Sequence, residues 1–161
     1  MFNIFQPTTE EEKKQADAIE WVKRNRRELI DYFCPLSKFP KLKNPNMVFM
    51  AGSPGAGKTE YSTNLVKIMA LREPPIITTR LDTDEVREKI PGYDGSNSYL
   101  YQGAAALGME KLIQHVFDHN QNAIIDTTLS DRNIAFSNIQ RALGKKHNYS
   151  VSIIYLYQNP K

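Results

Sequence analysis

The chain has 161 residues, 40% of them hydrophobic and 24% charged, a composition that indicates neither disorder nor a multidomain chain and suits one domain spanning residues 1–161. Its net charge of +3 is modest, and no apolar run approaches the roughly eighteen residues needed to cross a bilayer. A lone cysteine, Cys34, excludes an internal disulfide, and the start Met1-Phe2-Asn3-Ile4 lacks a signal peptide's basic and apolar regions, so the cytoplasm is the expected compartment.

Thr8 and Thr9 are each followed three residues later by glutamate, Glu11 and Glu12, which predicts a capping box. An N-terminal helix over about residues 9–33 should follow, with Ile19, Val22, Leu29, Ile30 and Phe33 on one flank. The basic residues crowd here: Lys23, Arg24, Arg26, Arg27, Lys38, Lys41 and Lys43 stand with only Glu28 and Asp31 among them. Without the interleaved aromatics of a nucleic-acid module, they read as a solvated face rather than a nucleic-acid site. Prolines then mark a connector over about residues 34–46.

Met47-Val48-Phe49-Met50-Ala51 is a short apolar run between the breakers Pro45 and Gly52, as in a strand buried on both faces. Directly after it comes Gly52-Ser53-Pro54-Gly55-Ala56-Gly57-Lys58-Thr59, a complete match to the phosphate-loop pattern G-x-x-x-x-G-K-[ST]. From Lys58 to Arg72 the residues Tyr61, Leu65, Ile68, Met69 and Leu71 keep near-helical spacing, so the loop opens a helix. Strand, glycine loop and helix together predict a nucleoside-triphosphate site. Backbone N–H groups at the helix N-terminus wrap the phosphates, glycines permit close approach, Lys58 reaches the β- and γ-phosphates, and the Thr59 hydroxyl coordinates Mg²⁺ carried in with the nucleotide.

Pro74-Pro75 ends that helix, and Ile76 to Leu81 is a β-branched run leading into a helix from Asp82 to Ile90. Pro91 to Ser98 is a loop, Tyr99 to Phe117 a long helix, Ala123-Ile124-Ile125 a third strand, Asp131 to Leu143 a helix and Val151 to Tyr157 a fourth strand. Strands alternating with helices imply parallel pairing through right-handed crossovers. The expected fold is therefore α/β, a three-layer P-loop NTPase domain of nucleotide-kinase type, with helices on both faces of a parallel sheet. Its site should lie beyond the carboxyl ends of the strands.

Phosphoryl transfer needs a cradle, a metal, a group to receive the acceptor's proton, and positive charge near the transferred oxygens. Asp84, just past the second strand, is the preferred general base, holding an acceptor hydroxyl in line with the phosphorus. Asp82 reads equally as a helix cap. Asp126 closes the third strand and can serve Mg²⁺ or substrate. His115 and His119 stand one helical turn apart, yet lack the glutamate and third ligand of a zinc motif.

Three blocks resemble the zeta toxin kinases of bacterial toxin–antitoxin systems. They are Gly52 to Glu60, then Asp82-Thr83-Asp84-Glu85-Val86-Arg87 running into Pro91-Gly92-Tyr93-Asp94-Gly95-Ser96-Asn97, and Ile124-Ile125-Asp126-Thr127-Thr128-Leu129. The likeness runs from about Met47 to Lys161. It implies phosphorylation by ATP or GTP, with Mg²⁺, of a hydroxyl on UDP-N-acetylglucosamine or a similar nucleotide-sugar, which starves cell-wall synthesis. It also implies an antitoxin protein as partner. Asp84 matches the family's base, Lys58 its phosphate lysine and Thr59 its metal hydroxyl. Glu110, Asp126 and Thr128 fall where the family holds the sugar substrate. Two departures stand out. Thr127 replaces the family's usual glycine between acid and threonine, and the family's phosphoryl-neutralising arginines lie in a helical lid beyond the fourth strand, where this chain stops. Arg87, Arg132 and Arg141 are candidate substitutes, Arg87 being placed with the substrate. Losing such an arginine costs about 10³ to 10⁵ in turnover, so nucleotide binding is expected to outlast catalysis. Other acceptors for such a kinase are a nucleotide ribose, NAD or a nucleic-acid end, and a third reading is a nucleotide-binding module covered by a partner.

Overall fold

The structure, a computed structural model, describes residues 9–127 and 132–157. Four parallel strands form its sheet: β1 (Asn46–Gly52), β2 (Thr79–Asp82), β3 (Ala123–Asp126) and β4 (Ser150–Leu156), in the order β2-β3-β1-β4. The helices are α1 (Thr9–Arg24), α2 (Arg26–Phe33), α3 (Lys58–Ala70), α4 (Thr83–Glu88), α5 (Ser98–His119) and α6 (Arg132–Leu143). Each parallel pair is joined through a helical crossover, the architecture that the alternation predicts.

Side chains alternate across a strand, and the sheet separates two apolar clusters accordingly. Met47, Phe49, Leu81, Ala123 and Ile125 pack against α1, α2, α5 and Ala142 of α6. Val48, Met50 and Ile124 point the other way and meet Leu65, Val66 and Met69 of α3. Helices thus cover both faces. The central strands β1 and β3 are buried along their described length, apart from half-buried Asn46. The edge strand β4 is not, and Ile153 and Tyr155 on it are exposed.

Two expectations shift. The N-terminal helix is broken at Asn25, whose amide nitrogens, main-chain and side-chain, both donate to the Trp21 carbonyl at 2.8 Å; α2 starts afresh with its own buried Leu29 and Phe33. Thr9 lies inside α1 rather than before it, and Thr8 falls outside the described residues. The second strand is Thr79–Asp82, not Ile76–Leu81. Ile76 instead donates its N–H to the Met69 carbonyl of α3, and pairing with β3 starts only where Thr79 meets Ala123. No helix among the described residues is long and apolar enough to cross a membrane.

Candidate functional site

At the carboxyl end of β1 the chain turns through three glycines in the left-handed half of backbone space: Gly52 at φ 135°, Gly55 at 78° and Gly57 at 82°. Around Gly55 and Gly57 a side chain would have room, so glycine is needed there for backbone angle, not space. Gly52 differs. A Cβ there would lie 2.4 Å from the Leu156 carbonyl oxygen, so β4 packs against the start of the loop. The Ala56 N–H closes the turn on the Ser53 carbonyl at 3.2 Å. Gly57 then caps α3 without a side-chain acceptor, which leaves main-chain N–H groups at the positive end of the helix dipole open to an anion.

Lys58 folds back over this loop, donating from Nζ to the Gly52 carbonyl at 2.9 Å and the Ser53 carbonyl at 2.7 Å. Its ammonium is therefore held at the loop by two main-chain carbonyls. Ser53, Pro54, Gly55, Gly57, Thr59 and Glu60 are exposed, and Ala56 and Lys58 half-buried. A groove of about 400 Å³ runs alongside, lined by Ala56, Gly57, Glu60, Tyr61, Asn64 and Leu156 among others. Thr59 is exposed and its hydroxyl is a hard oxygen donor of the kind Mg²⁺ takes, whereas the Asp126 carboxylate is buried with Oδ2 bonded to Ser62 and Arg80, so Thr59 is the residue that fits that ion.

The neighbouring strand ends carry the acids. Asp82 pairs with Asp126, and Arg80 with Ile124, in the β2–β3 register. Period-two alternation puts Arg80, Asp82 and Asp126 on the face that α3 covers. Arg80 is only 10% exposed and sends its guanidinium in several directions. Nη2 binds Asp126 Oδ2 at 2.7 Å and also Asp82, while Nη1 binds Glu85. Nε reaches Ser62 Oγ at 2.7 Å and Asp126 Oδ2 at 3.1 Å. Ser62, buried in α3 one turn past Lys58, donates its hydroxyl to Asp126 at 2.5 Å. Asp82 caps α4, accepting the Asp84 N–H at 2.8 Å. Burial pushes the Asp82 carboxyl above the usual carboxylate range, against the opposing pull of that N–H and of Arg80.

Asp84 itself is 78% exposed at the start of α4, with its Oδ1 accepting from Arg87 Nη1 at 2.6 Å. Arg87 is largely buried, lies 5.9 Å from the Tyr93 ring centre, and keeps a buried Nε without a hydrogen-bond partner among the described residues. Lys58, Asp84, Asp126 and Arg87 are thus placed on elements that meet at the carboxyl end of the sheet. Glu110 is not part of the Arg80 network; it lies exposed on α5 beside Lys111, at 3.5 Å. Thr128 and the approach to α6 lie outside the described residues.

Sequence reasoning passed over Arg80 and Ser62. Their signal was present: Arg80 stands two residues before Asp82 on a strand, hence on its face, and Ser62 stands one helical turn after Lys58. Elsewhere, burial pushes the Cys34 thiol up to about 12, which makes it a core residue and not a nucleophile. His115 is buried with its ring 4.1 Å from that of His119, and burial holds its pKa below the ordinary value.

No curated protein matches the chain. A solved structure, from the characterisation of the PezAT chromosomal toxin–antitoxin system of the human pathogen Streptococcus pneumoniae, superposes with a TM-score of 0.62 at 20% identity. The match covers 96% of this chain and 59% of that one, so the chain spans little more than half of that protein's length. The sequence model of the family described as zeta toxin matches residues 35–161. The chain belongs to the zeta toxin family.

Proposed function

We propose that this chain is the core of an ATP- or GTP-dependent kinase that transfers the γ-phosphoryl group to a hydroxyl of UDP-N-acetylglucosamine or a similar nucleotide-sugar. The observation that carries the reading is the loop itself: left-handed glycines, an open helix N-terminus and Lys58 folded over it. Family membership supports a kinase-type reading.

In this reading the main-chain N–H groups of the loop and Lys58 hold the β- and γ-phosphates. Mg²⁺, when bound through Thr59, supplies charge neutralisation on those phosphates. Asp84, exposed on a helix whose first turn Asp82 caps, accepts the acceptor hydroxyl's proton and keeps its oxygen in line with the phosphorus. Arg87 pairs with Asp84 at rest and is the proposed substrate contact on that helix once the carboxylate turns to an acceptor. Glu110, Asp126 and Thr128 are the proposed sugar contacts. The groove beside Tyr61 and Leu156 adjoins the loop and offers room for the nucleoside. An antitoxin partner is proposed from the toxin–antitoxin system to which the structural relative belongs.

The test is incubation with Mg·ATP and UDP-N-acetylglucosamine, with products resolved by mass spectrometry. A phosphorylated nucleotide-sugar is expected. Phosphate appearing instead on a nucleotide ribose, NAD or a nucleic-acid end would replace the acceptor, and no transfer to any of them by a longer chain carrying the helical lid would overturn the kinase reading.

A further inference from the structure

We propose that Arg80 is a positioning residue that fixes Asp84 relative to the phosphate cradle, by tying the first turn of α4 to the cradle helix α3 through Asp126 and Ser62. The proposal rests on the kinase reading for the role of Asp84, and adds to it a residue that touches neither nucleotide nor acceptor.

The guanidinium reaches three elements at once. Nε meets Ser62 of α3 and Asp126 of β3, Nη2 meets Asp126 and also Asp82 at the head of α4, and Nη1 meets Glu85 in the first turn of α4. Asp82 and Glu85 flank Asp84 in sequence, and Asp82 also accepts the Asp84 N–H. If Arg80 served only to neutralise buried acids, Asp82 and Asp126 would suffice. Glu85 is 45% exposed and could be solvated by water, yet it too is drawn onto the same guanidinium.

Charge-assisted bonds from a planar, rigid fork are directional, and an ammonium, a single compact centre, cannot span the same spread of acceptors. Ser62 completes the link: it lies one turn from Lys58 on the helix whose N-terminus faces the phosphates, and binds both Arg80 and Asp126. A displacement of α4 against α3 must therefore break several of these contacts together. In-line transfer is sensitive to such a displacement, a misplacement of about 1 Å costing about 10²-fold.

The experiment uses the full chain and the variants Arg80→Lys, Ser62→Ala and both together, each checked for folding by thermal melting. Mg·ATP affinity is measured by calorimetry, transfer to UDP-N-acetylglucosamine as kcat and KM, and amide signals of residues 83–88 by NMR during Mg·ATP titration. Arg80→Lys should keep nucleotide affinity within about threefold while kcat falls roughly 10- to 100-fold. Ser62→Ala should lose less in the same direction, and the double variant should be no worse than Arg80→Lys, because the two act as one unit. In the wild type, α4 amides should shift together with those of the loop on adding Mg·ATP; in Arg80→Lys only the loop should respond.

Wild-type kcat in Arg80→Lys, a proportional fall of affinity and kcat, or α4 amides that still follow the nucleotide would each overturn the proposal. Should Arg80→Lys fail to fold, Ser62→Ala carries the same readouts with every charge kept. Should the wild type bind Mg·ATP but phosphorylate no acceptor, the amide response alone decides the coupling, and the kinase reading is decided separately with a longer chain carrying the helical lid.

Discussion

Ser62 and Asp126 are 64 residues apart in the chain and 2.5 Å apart in the fold, joining the helix that opens at the phosphate loop to the carboxylate that ends the adjacent strand. Arg80 lies against both. The contact puts a polar, charge-bearing layer beneath α3, where the same face of the sheet is otherwise apolar.

Removing the cation from that layer should be costly. In Arg80→Met, Asp82 and Asp126 remain buried beside each other without their counter-ion, and unfolding free energy should drop by about 3–5 kcal/mol. Urea denaturation at neutral pH measures it. A loss under about 1 kcal/mol, the range of an exposed pair, would show that the acids are solvated.

Lys58→Ala should separate binding from folding. Among the described residues the lysine ammonium bonds only loop carbonyls, so the melting temperature should barely move. Calorimetry should show Mg·ATP affinity falling by more than about tenfold, the equivalent of a charge-assisted hydrogen bond to phosphate. Unchanged affinity would place the triphosphate elsewhere.

The glycines should fail for different reasons. Gly57→Ala meets no neighbouring atom and pays only for a left-handed backbone at φ 82°, roughly 1–2 kcal/mol. Gly52→Ala adds to its own strain a 2.4 Å clash with the Leu156 carbonyl, which requires β4 to move. Thermal denaturation should rank Gly52→Ala as the more damaging, and the reverse order would contradict the packing of β4 on the loop.

Acidification should destabilise the fold through His115. Burial, then the charges of His119 and Arg26, hold its folded pKa below the ordinary 6.5. Between the folded and unfolded values the unfolded chain binds more protons, so stability is complete above pH 6.5 and falls as pH drops through and below it. Urea midpoints from pH 7.5 to about 5 should decline, and His115→Gln should flatten the decline. An equal slope in the variant would assign it to other groups.

Much of the fold was legible because its strongest signals are local. β1 is a bounded apolar run, the loop a complete motif, and the helix after it keeps its periodicity over thirteen residues. The start of β2 was not legible, because Ile76 to Thr78 are as β-prone as Thr79 to Leu81, and only the register with Ala123 decides between them. The break at Asn25 was hidden for a similar reason: apolar spacing continues through it, while the chain bends to let α2 pack on its own. At the site, Lys58, Asp84 and Asp126 follow from motif and strand ends. Arg80 and Ser62 do not, since their meaning arises from a contact between β2, β3 and α3 that no short window of sequence contains.

The most direct measurement compares wild type and Asp84→Asn in one assay, following γ-phosphoryl transfer from saturating Mg·ATP to UDP-N-acetylglucosamine alongside nucleotide affinity. Transfer should fall by about 10²- to 10⁴-fold, the contribution of a positioned base, with affinity unchanged. Undiminished transfer by the variant would contradict the assignment of Asp84 and, with it, the kinase geometry at this end of the sheet.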